Sequence, residues 1–331
     1  MKSHYLWLAA ILLLTSCNVG TRTPVQRGIY HWKTTYNPTN WEKQWMKDHE
    51  VGRLYIKLFD VDAGQKHSFP DWKMVPVATT QFKQKLPDDV EIVPVVYITT
   101  DAIHALVDVD DYYSSTSTYA NLIVKRIDDM MKENWNGTLR EVQLDCDWTQ
   151  QTEHAYFTLA NMIKMLLNER GITLSGTLRL HQLREVEHPT EDEYANKDSI
   201  PFDRSLLMCY NTGSLYDRDI ENSILDFDDV KPYLNQYKND LLPRTDVAYP
   251  VYGWGVEYDK KGSFKQLINS HNMPKQSNDS VRVEWGRPSE IAQVKAALPT
   301  LDTCHTIILF HLDSLNLSKY SYEDIEALYS R

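Results

Sequence analysis

Beyond its first sixteen residues the chain has no apolar run of the roughly 18 or more residues that a membrane-spanning helix needs. Basic residues are in deficit. The 35 Lys and Arg face 46 Asp and Glu, for a net charge of −11. Nucleic acid is therefore a poor partner, because that binding is dominated by phosphate neutralisation. Cysteine is scarce, four in 331 residues, so the chain is not a disulfide scaffold. Cys146 and Cys209 fall in apolar runs and, with Cys304, read as inert packing. The alternative is a disulfide formed outside the cytoplasm. Glycine is also sparse, and no glycine-rich strand-to-helix turn of the dinucleotide or phosphate-loop kind is present. There is no GxSxG elbow and no His-x-His or HExxH spacing. These absences leave no basis for expecting a cofactor or a bound metal. What the chain does have is 20 Tyr and 9 Trp. Both suit surfaces that are partly apolar and partly wet, sugar-binding clefts among them.

The N-terminus reads as an address. Lys2 precedes an apolar stretch of ten residues, Tyr5 to Leu14, the length of a signal-peptide core. Leu14-Thr15-Ser16-Cys17 resembles the lipobox of bacterial lipoproteins. That resemblance implies cleavage before Cys17, lipidation of Cys17, and a location at the bacterial cell envelope held to the membrane by the lipid. An ordinary secretory signal is the alternative. The expected organisation is a signal segment 1–16, a lipidated Cys and tether 17–26, and one domain over 27–331.

Along that domain strands alternate with helices. Strands are expected at 28–36, 51–62, 90–100, 141–149, 173–183, 204–213, 245–256 and 306–316. Helices are expected at 41–50, near 79–86, at 118–134, 154–170, near 219–237, at 288–298 and at 322–331. Gly171 stands where a helix C-terminal glycine belongs. A polar insertion of about 30 residues follows the seventh strand. The acidic runs 108–113 and 225–230 read as solvated loops or helix starts. Eight strands alternating with helices over some 300 residues are what an α/β fold of the (β/α)8 TIM barrel type requires.

In such barrels the working residues lie at the C-terminal strand ends and in the loops after them. On the fourth strand Gln143, Asp145 and Asp147 share a parity and point to one face, with Leu144 and Cys146 on the other. Two carboxylates on alternate residues lie roughly 7 Å apart at Cα. Confined together, they repel and one is pushed toward the protonated form. The competing reading is that they pair with Lys57 and Arg179. Other mouth candidates are His31 and Trp32 on the first strand, Tyr97 on the third, Trp148 on the fourth, and Arg179 and His181 on the fifth. Asn211 is on the sixth, Tyr252 and Trp254 are on the seventh with Glu257 after it, and His311 is on the eighth with Asp313 toward its end. Tyr and Trp faces stack on sugar rings, and Arg and His hydrogen-bond hydroxyls or carboxylates. His31, His181 and His311 come from different strands, so a metal cluster with Asp145 and Asp147 is a further arrangement the fold permits.

VQLDCDWT (142–149) resembles the strand-4 signature D-G-x-D-x-D-x-E of family 18 glycoside hydrolases, the chitinases and their relatives. MCYN (208–211) and YPVYGWG (249–255) resemble that family's strand-6 and strand-7 segments, in order. The resemblance implies that Asp147 orients the substrate's acetamido group and that Tyr210 supports the reactive intermediate. With Asp145, they are the expected catalytic set. Two positions depart from the pattern. Val142 replaces the first aspartate, and Thr149 replaces the glutamate that protonates the leaving oxygen. A replacement acid is sought among Asp60, Asp62, Asp101, Glu257 and Asp313, with Glu257 and Asp313 favoured for following aromatic-rich strands. The expected function is a barrel acting on or binding glycan. The alternatives are a glycan-binding or envelope-interaction lipoprotein that has lost the acid, and metal-assisted hydrolysis.

Overall fold

The computed structural model describes residues 25–64, 73–107, 111–183, 200–234, 245–298 and 304–331. Residues 1–24, which include the expected signal segment, Cys17 and most of the expected tether, lie outside the described residues. The chain begins β1 (Gln26–His31), β2 (Thr35–Tyr36), α1 (Asn40–Asp48), β3 (Arg53–Ala63), β4 (Met74–Val77), β5 (Gln81–Phe82) and β6 (Glu91–Ile98). It continues α2 (Thr100–Val107), α3 (Tyr112–Asn134), β7 (Glu141–Asp145), α4 (Glu153–Asn168), β8 (Thr173–Arg179), β9 (Arg204–Met208) and α5 (Phe227–Leu234). Then come β10 (Thr245–Pro250), β11 (Gly253–Tyr258), β12 (Phe264–Asn269), β13 (Val281–Trp285), α6 (Pro288–Ala297), β14 (Thr306–Phe310), α7 (Ser314–Leu317) and α8 (Tyr322–Tyr329).

Eight of these strands close into a parallel barrel in the order β1-β14-β10-β9-β8-β7-β6-β3, with β3 returning to β1. Val142 and Leu144 of β7 are wholly buried on the helix side. Gln143 faces inward, where its side-chain oxygen accepts a hydrogen bond from Tyr30 Oη of β1. Helix starts are locally encoded. Thr39 with Glu42 and Ser321 with Asp324 form capping boxes for α1 and α8. Asp111 caps α3, so part of the first acidic run is a helix start. Gly171, at φ +69°, turns the chain out of α4. At the N-terminal end of the barrel Arg53 pairs with Glu141 (2.6 Å) and Glu91 (3.0 Å), and Arg204 with Asp246 (2.6 Å). That end of such a barrel serves stability. Cys146, Cys209 and Cys304 are buried free thiols. Among the described residues no helix is long and apolar enough to cross a membrane.

Three expectations change. Residues 79–86 are not helical. Thr80 Oγ1 instead bonds the Lys57 carbonyl (2.6 Å), and Gln81–Phe82 pairs in parallel with β2. Helix α2 follows directly on β6, starting at Thr100, the last residue of the expected strand, and running through a segment with no expected helix. The seventh strand is two strands. Pro250 ends β10, and Gly253 opens a separate antiparallel sheet ordered β12-β11-β13, which is the polar insertion. Where β13 returns to the barrel, Gly286 lies so close to Pro250 that a Cβ there would fall 2.0 Å from its carbonyl oxygen.

Candidate functional site

The C-terminal strand ends surround an open cleft of about 670 Å³. Its floor comes from three neighbouring strands in register. Asp60 of β3 pairs with Tyr97 of β6, and Tyr97 with Asp145 of β7. The register of β3 slips between Lys57 and Phe59, so Leu58 is an extra residue. Such a bulge re-aims side chains. It turns both Lys57 and Asp60 inward, with their charged groups 3.0 Å apart. Lys57 Nζ also lies 5.4 Å from the Trp32 ring centroid.

Asp145 is 3% exposed and accepts a hydrogen bond from Thr177 Oγ1 (2.6 Å). Burial pushes its carboxyl up to about 6; Arg179 opposes the shift, and Asp147 and Asp60 add to it. Asp147 lies beyond the end of β7. Its carboxylate takes a bidentate pair from Arg179, at 2.5 Å from Nε and 3.2 Å from the second nitrogen. The two strand-4 carboxylates thus have different partners. Gln182 holds this region in place. Its amide nitrogen donates to the Trp148 carbonyl (2.8 Å), and its oxygen accepts from the Arg179 backbone (2.7 Å).

Aromatic rings form the walls. Phe310 packs 5.4–5.6 Å from the rings of Trp32, Tyr210 and Tyr252. Trp32 lies 6.3 Å from Tyr97, and Tyr252 lies 5.4 Å from Trp254. Tyr252 Oη donates to Asn211 Oδ1 (2.5 Å), and Asn211 holds a left-handed backbone at φ +57°. Trp254 enters from β11. Its indole N–H donates to Glu284 of β13 (2.7 Å). Glu284 is itself buried and also accepts from Arg282 Nε (2.5 Å) and Ser223 Oγ. The insertion supplies a further wall through Leu267, Ile268 and Asn269.

The cleft therefore gathers Trp32, Tyr97, Asp145, Arg179, Tyr210 and Asn211, with Tyr252, Trp254 and His311. The other expected residues lie elsewhere. His31 is buried beside Tyr36 and held neutral, down to about 3, by burial first. Trp148 is wholly buried, edge-on to Phe157. His181 is exposed past the end of β8. Glu257 faces away on β11, paired with Lys265 (2.7 Å) and Gln266 (2.6 Å). Asp313 caps α7 and pairs with Lys33 (2.7 Å). Against the effect of burial, Lys33 holds its carboxyl below the usual range. Thr149 is exposed, and its carbonyl accepts from Thr152 N and Glu153 N at the start of α4. The position of the family's acid thus faces solvent. His311, half-buried in the cleft lining, is pushed down to about 4, chiefly by desolvation. Among the described residues no three His, Cys, Asp or Glu gather as metal ligands, so the three histidines are not brought together with the aspartates.

Lys57, Asp60, Gln182, Glu284 and Phe310 complete the site without having been singled out, apart from Asp60 as a lesser acid and Lys57 as a partner. The inward parity of Asp60 depends on a bulge, and Glu284 sits in an insertion with no strand-end logic.

No protein-family model matches the sequence, and no curated protein matches it. Solved structures do. The spore cortex-lytic enzyme SleL of Bacillus cereus is 14% identical, with a TM-score of 0.56 over 93% of this chain and 74% of that one. The GH18 chitinase ChiB of Flavobacterium johnsoniae is 12% identical, with a TM-score of 0.54 over 92% and 93%. A class V chitinase mutant from Nicotiana tobaccum in complex with NAG4 is 9% identical, with a TM-score of 0.51 over 92% and 99%. The chain is a (β/α)8 barrel of the chitinase-like kind, distantly similar to the family 18 glycoside hydrolases.

Proposed function

We propose that this barrel binds glycan in the cleft and is held at the bacterial cell envelope by a lipid on Cys17. The observation that carries the reading is the ring of Trp32, Tyr97, Tyr210, Tyr252 and Trp254 around an open cleft of about 670 Å³, floored by Arg179 and Asp145. Aromatic faces with a few convergent polar groups are what a sugar ring with apolar faces and hydroxyl edges requires. The structural neighbour that holds NAG4 supports the same ligand class. The Thr149 position favours binding over turnover, since no carboxyl stands there to protonate a leaving oxygen.

Calorimetric titration with N-acetylglucosamine oligomers tests this. Wild-type chain is expected to bind them, and Trp254→Ala to weaken binding at least about tenfold, or roughly 1.4 kcal/mol. Equal affinity in the variant would remove the cleft as the binding site. The anchor has its own test. Fatty-acid labelling is expected to mark the wild-type chain and not Cys17→Ser, which should leave the membrane fraction; labelling that survives the substitution refutes it.

Hydrolysis is the second reading, favoured by one observation. Asp145 has the raised carboxyl of a general acid, and Asp60, beside Lys57, faces the same cleft. Glycoside hydrolysis commonly uses two such carboxyl groups in opposite protonation states.

A further inference from the structure

The outer wall of the barrel has a gap. In a (β/α)8 barrel each strand is followed by a helix that joins the outer ring. Among the described residues the crossover from β3 to β6 has no helix. Residues 73–90 pass along the wall as β4, β5 and turns instead. A groove of about 740 Å³ is left between that segment and α3, the long helix of the next crossover. Its two walls are bridged and so held apart at a fixed width. Tyr119 Oη accepts from Lys73 N (2.8 Å), Arg126 donates to Thr79 Oγ1 (2.9 Å), and Leu86 N donates to the Asn134 carbonyl (3.0 Å). Met74, Phe82 and Met130 give the groove an apolar lining. Leu122 stands on its rim, 43% exposed, and Pro76, Val77 and Ala78 are exposed alongside. No residue of this groove belongs to the cleft.

The charge pattern on the α3 rim points to the occupant. Leu122, Lys125, Asp129 and Met130 are three, four and one residues apart, so they share one stripe of the helix. About the middle of that stripe, near Arg126 and Ile127, the pattern is its own mirror: Lys125 answers Asp129, and Leu122 answers Met130. A second α3 crossing antiparallel on a two-fold axis there would set Lys125 of each copy against Asp129 of the other. Leu122 of each would then lie over Met130 and the apolar groove of the other. Lys125 and Asp129 now pair only with each other along the helix (2.5 Å), and their side chains are 71% and 64% exposed, so both can turn to a partner. Arg126, at the axis, would not meet its counterpart. Its guanidinium is drawn inward, bound to Thr79 and 5.0 Å from the Phe59 ring centroid. From Leu122 to Asn134 the helix runs about 18 Å at 1.5 Å per residue. A face of that length and two elements wide falls short of the roughly 800 Å² per partner of a standard interface, so the association it supports is reversible and about micromolar.

We propose that this groove is an interface between two copies of the chain, paired about a two-fold axis through the middle of α3. Because it lies on the outer wall, pairing leaves both clefts open. Sedimentation equilibrium of the full chain in density-matched detergent tests it. Wild type is expected to approach dimer mass near about 100 µM and to dissociate on dilution below about 1 µM. Lys125→Asp would set carboxylate against carboxylate at both ends of the interface, and Asp129→Lys ammonium against ammonium. Each should weaken the dimer at least about tenfold. Both lie on an exposed helix surface, so the urea midpoint should stay near that of wild type. The double variant K125D/D129K reverses the pairs and should bring association back to within about threefold of wild type. Cys17→Ser should pair as wild type does. A chain that stays monomeric to about 100 µM overturns the proposal. So does a dimer that both single variants leave intact, or one that the double variant fails to restore. Association lost with Cys17→Ser would place it in the N-terminal segment and overturn the groove as well.

Discussion

Asp145→Asn is expected to stabilise the protein near neutral pH by about 3 kcal/mol while leaving its stability near pH 4 almost unchanged. The sign follows from the direction of the shift. Burial first, with Asp147 and Asp60 adding, raises the folded-state carboxyl from 3.8 to about 6. The folded state therefore holds this proton more tightly than the unfolded chain. Stability is greatest below the unfolded value and falls as pH rises from about 4 to about 6. A shift of about two units corresponds to about 3 kcal/mol. Asn carries no charge at any pH, and its oxygen still accepts from Thr177 Oγ1. Urea unfolding at pH 4 and pH 7.5 measures both ends of the window. A variant no more stable than wild type at pH 7.5 would mean that burial does not raise the folded-state carboxyl above its unfolded value. The same variant divides the two functional readings. If the cleft hydrolyses glycan with Asp145 as acid, release of reducing ends is lost. If it binds only, neither protein releases product.

Glu284→Ala should cost about 3–5 kcal/mol of stability, the range for removing one partner of a buried ion pair. The Arg282 guanidinium would lose its 2.5 Å carboxylate partner, and the Trp254 indole N–H its acceptor. Because Glu284 also accepts from Ser223, the change removes one of the bonds that tie the 214–223 loop to the insertion sheet, while Tyr258 Oη still donates to the Leu215 carbonyl and Asn222 to the Trp285 carbonyl. Glycan affinity should fall by at least the amount lost in Trp254→Ala, which by contrast leaves the ion pair intact. Glu284→Gln is expected to recover the indole hydrogen bond, and with it much of the affinity, but not the stability. Chemical unfolding and calorimetry on the three variants check this. An alanine variant of wild-type stability and affinity would show that Trp254 is held by packing alone.

The barrel was legible because alternation of strand and helix is a property of the whole chain, and each strand carries its own pattern. The inward parity of Gln143 and Asp145 was legible for the same reason. The aromatic and Arg179 contributions followed from position near strand ends. Position failed where a side chain had a local competitor. Asp313 serves a helix cap and Lys33, and Glu257 serves its neighbours on β12. Trp148 and His31 turn toward buried packing, which strand parity near a strand end does not report. Asp60 was named only as a lesser acid, because one extra residue, Leu58, changes which way it points. Among the described residues, the insertion strand that carries Glu284 pairs only with β11, so no barrel register locates it.

The barrel closes where β1 meets β14, the first and last strands of the described chain. Until β14 is available, β1 and β10 are both open edges with unpaired backbone groups, and edges of that kind invite pairing with other chains. The cleft has the same dependence, since Phe310 at the end of β14 is the ring on which Trp32, Tyr210 and Tyr252 converge. A chain halted before residue 306 therefore carries two open strand edges and an incomplete recognition surface, which makes it an aggregation hazard.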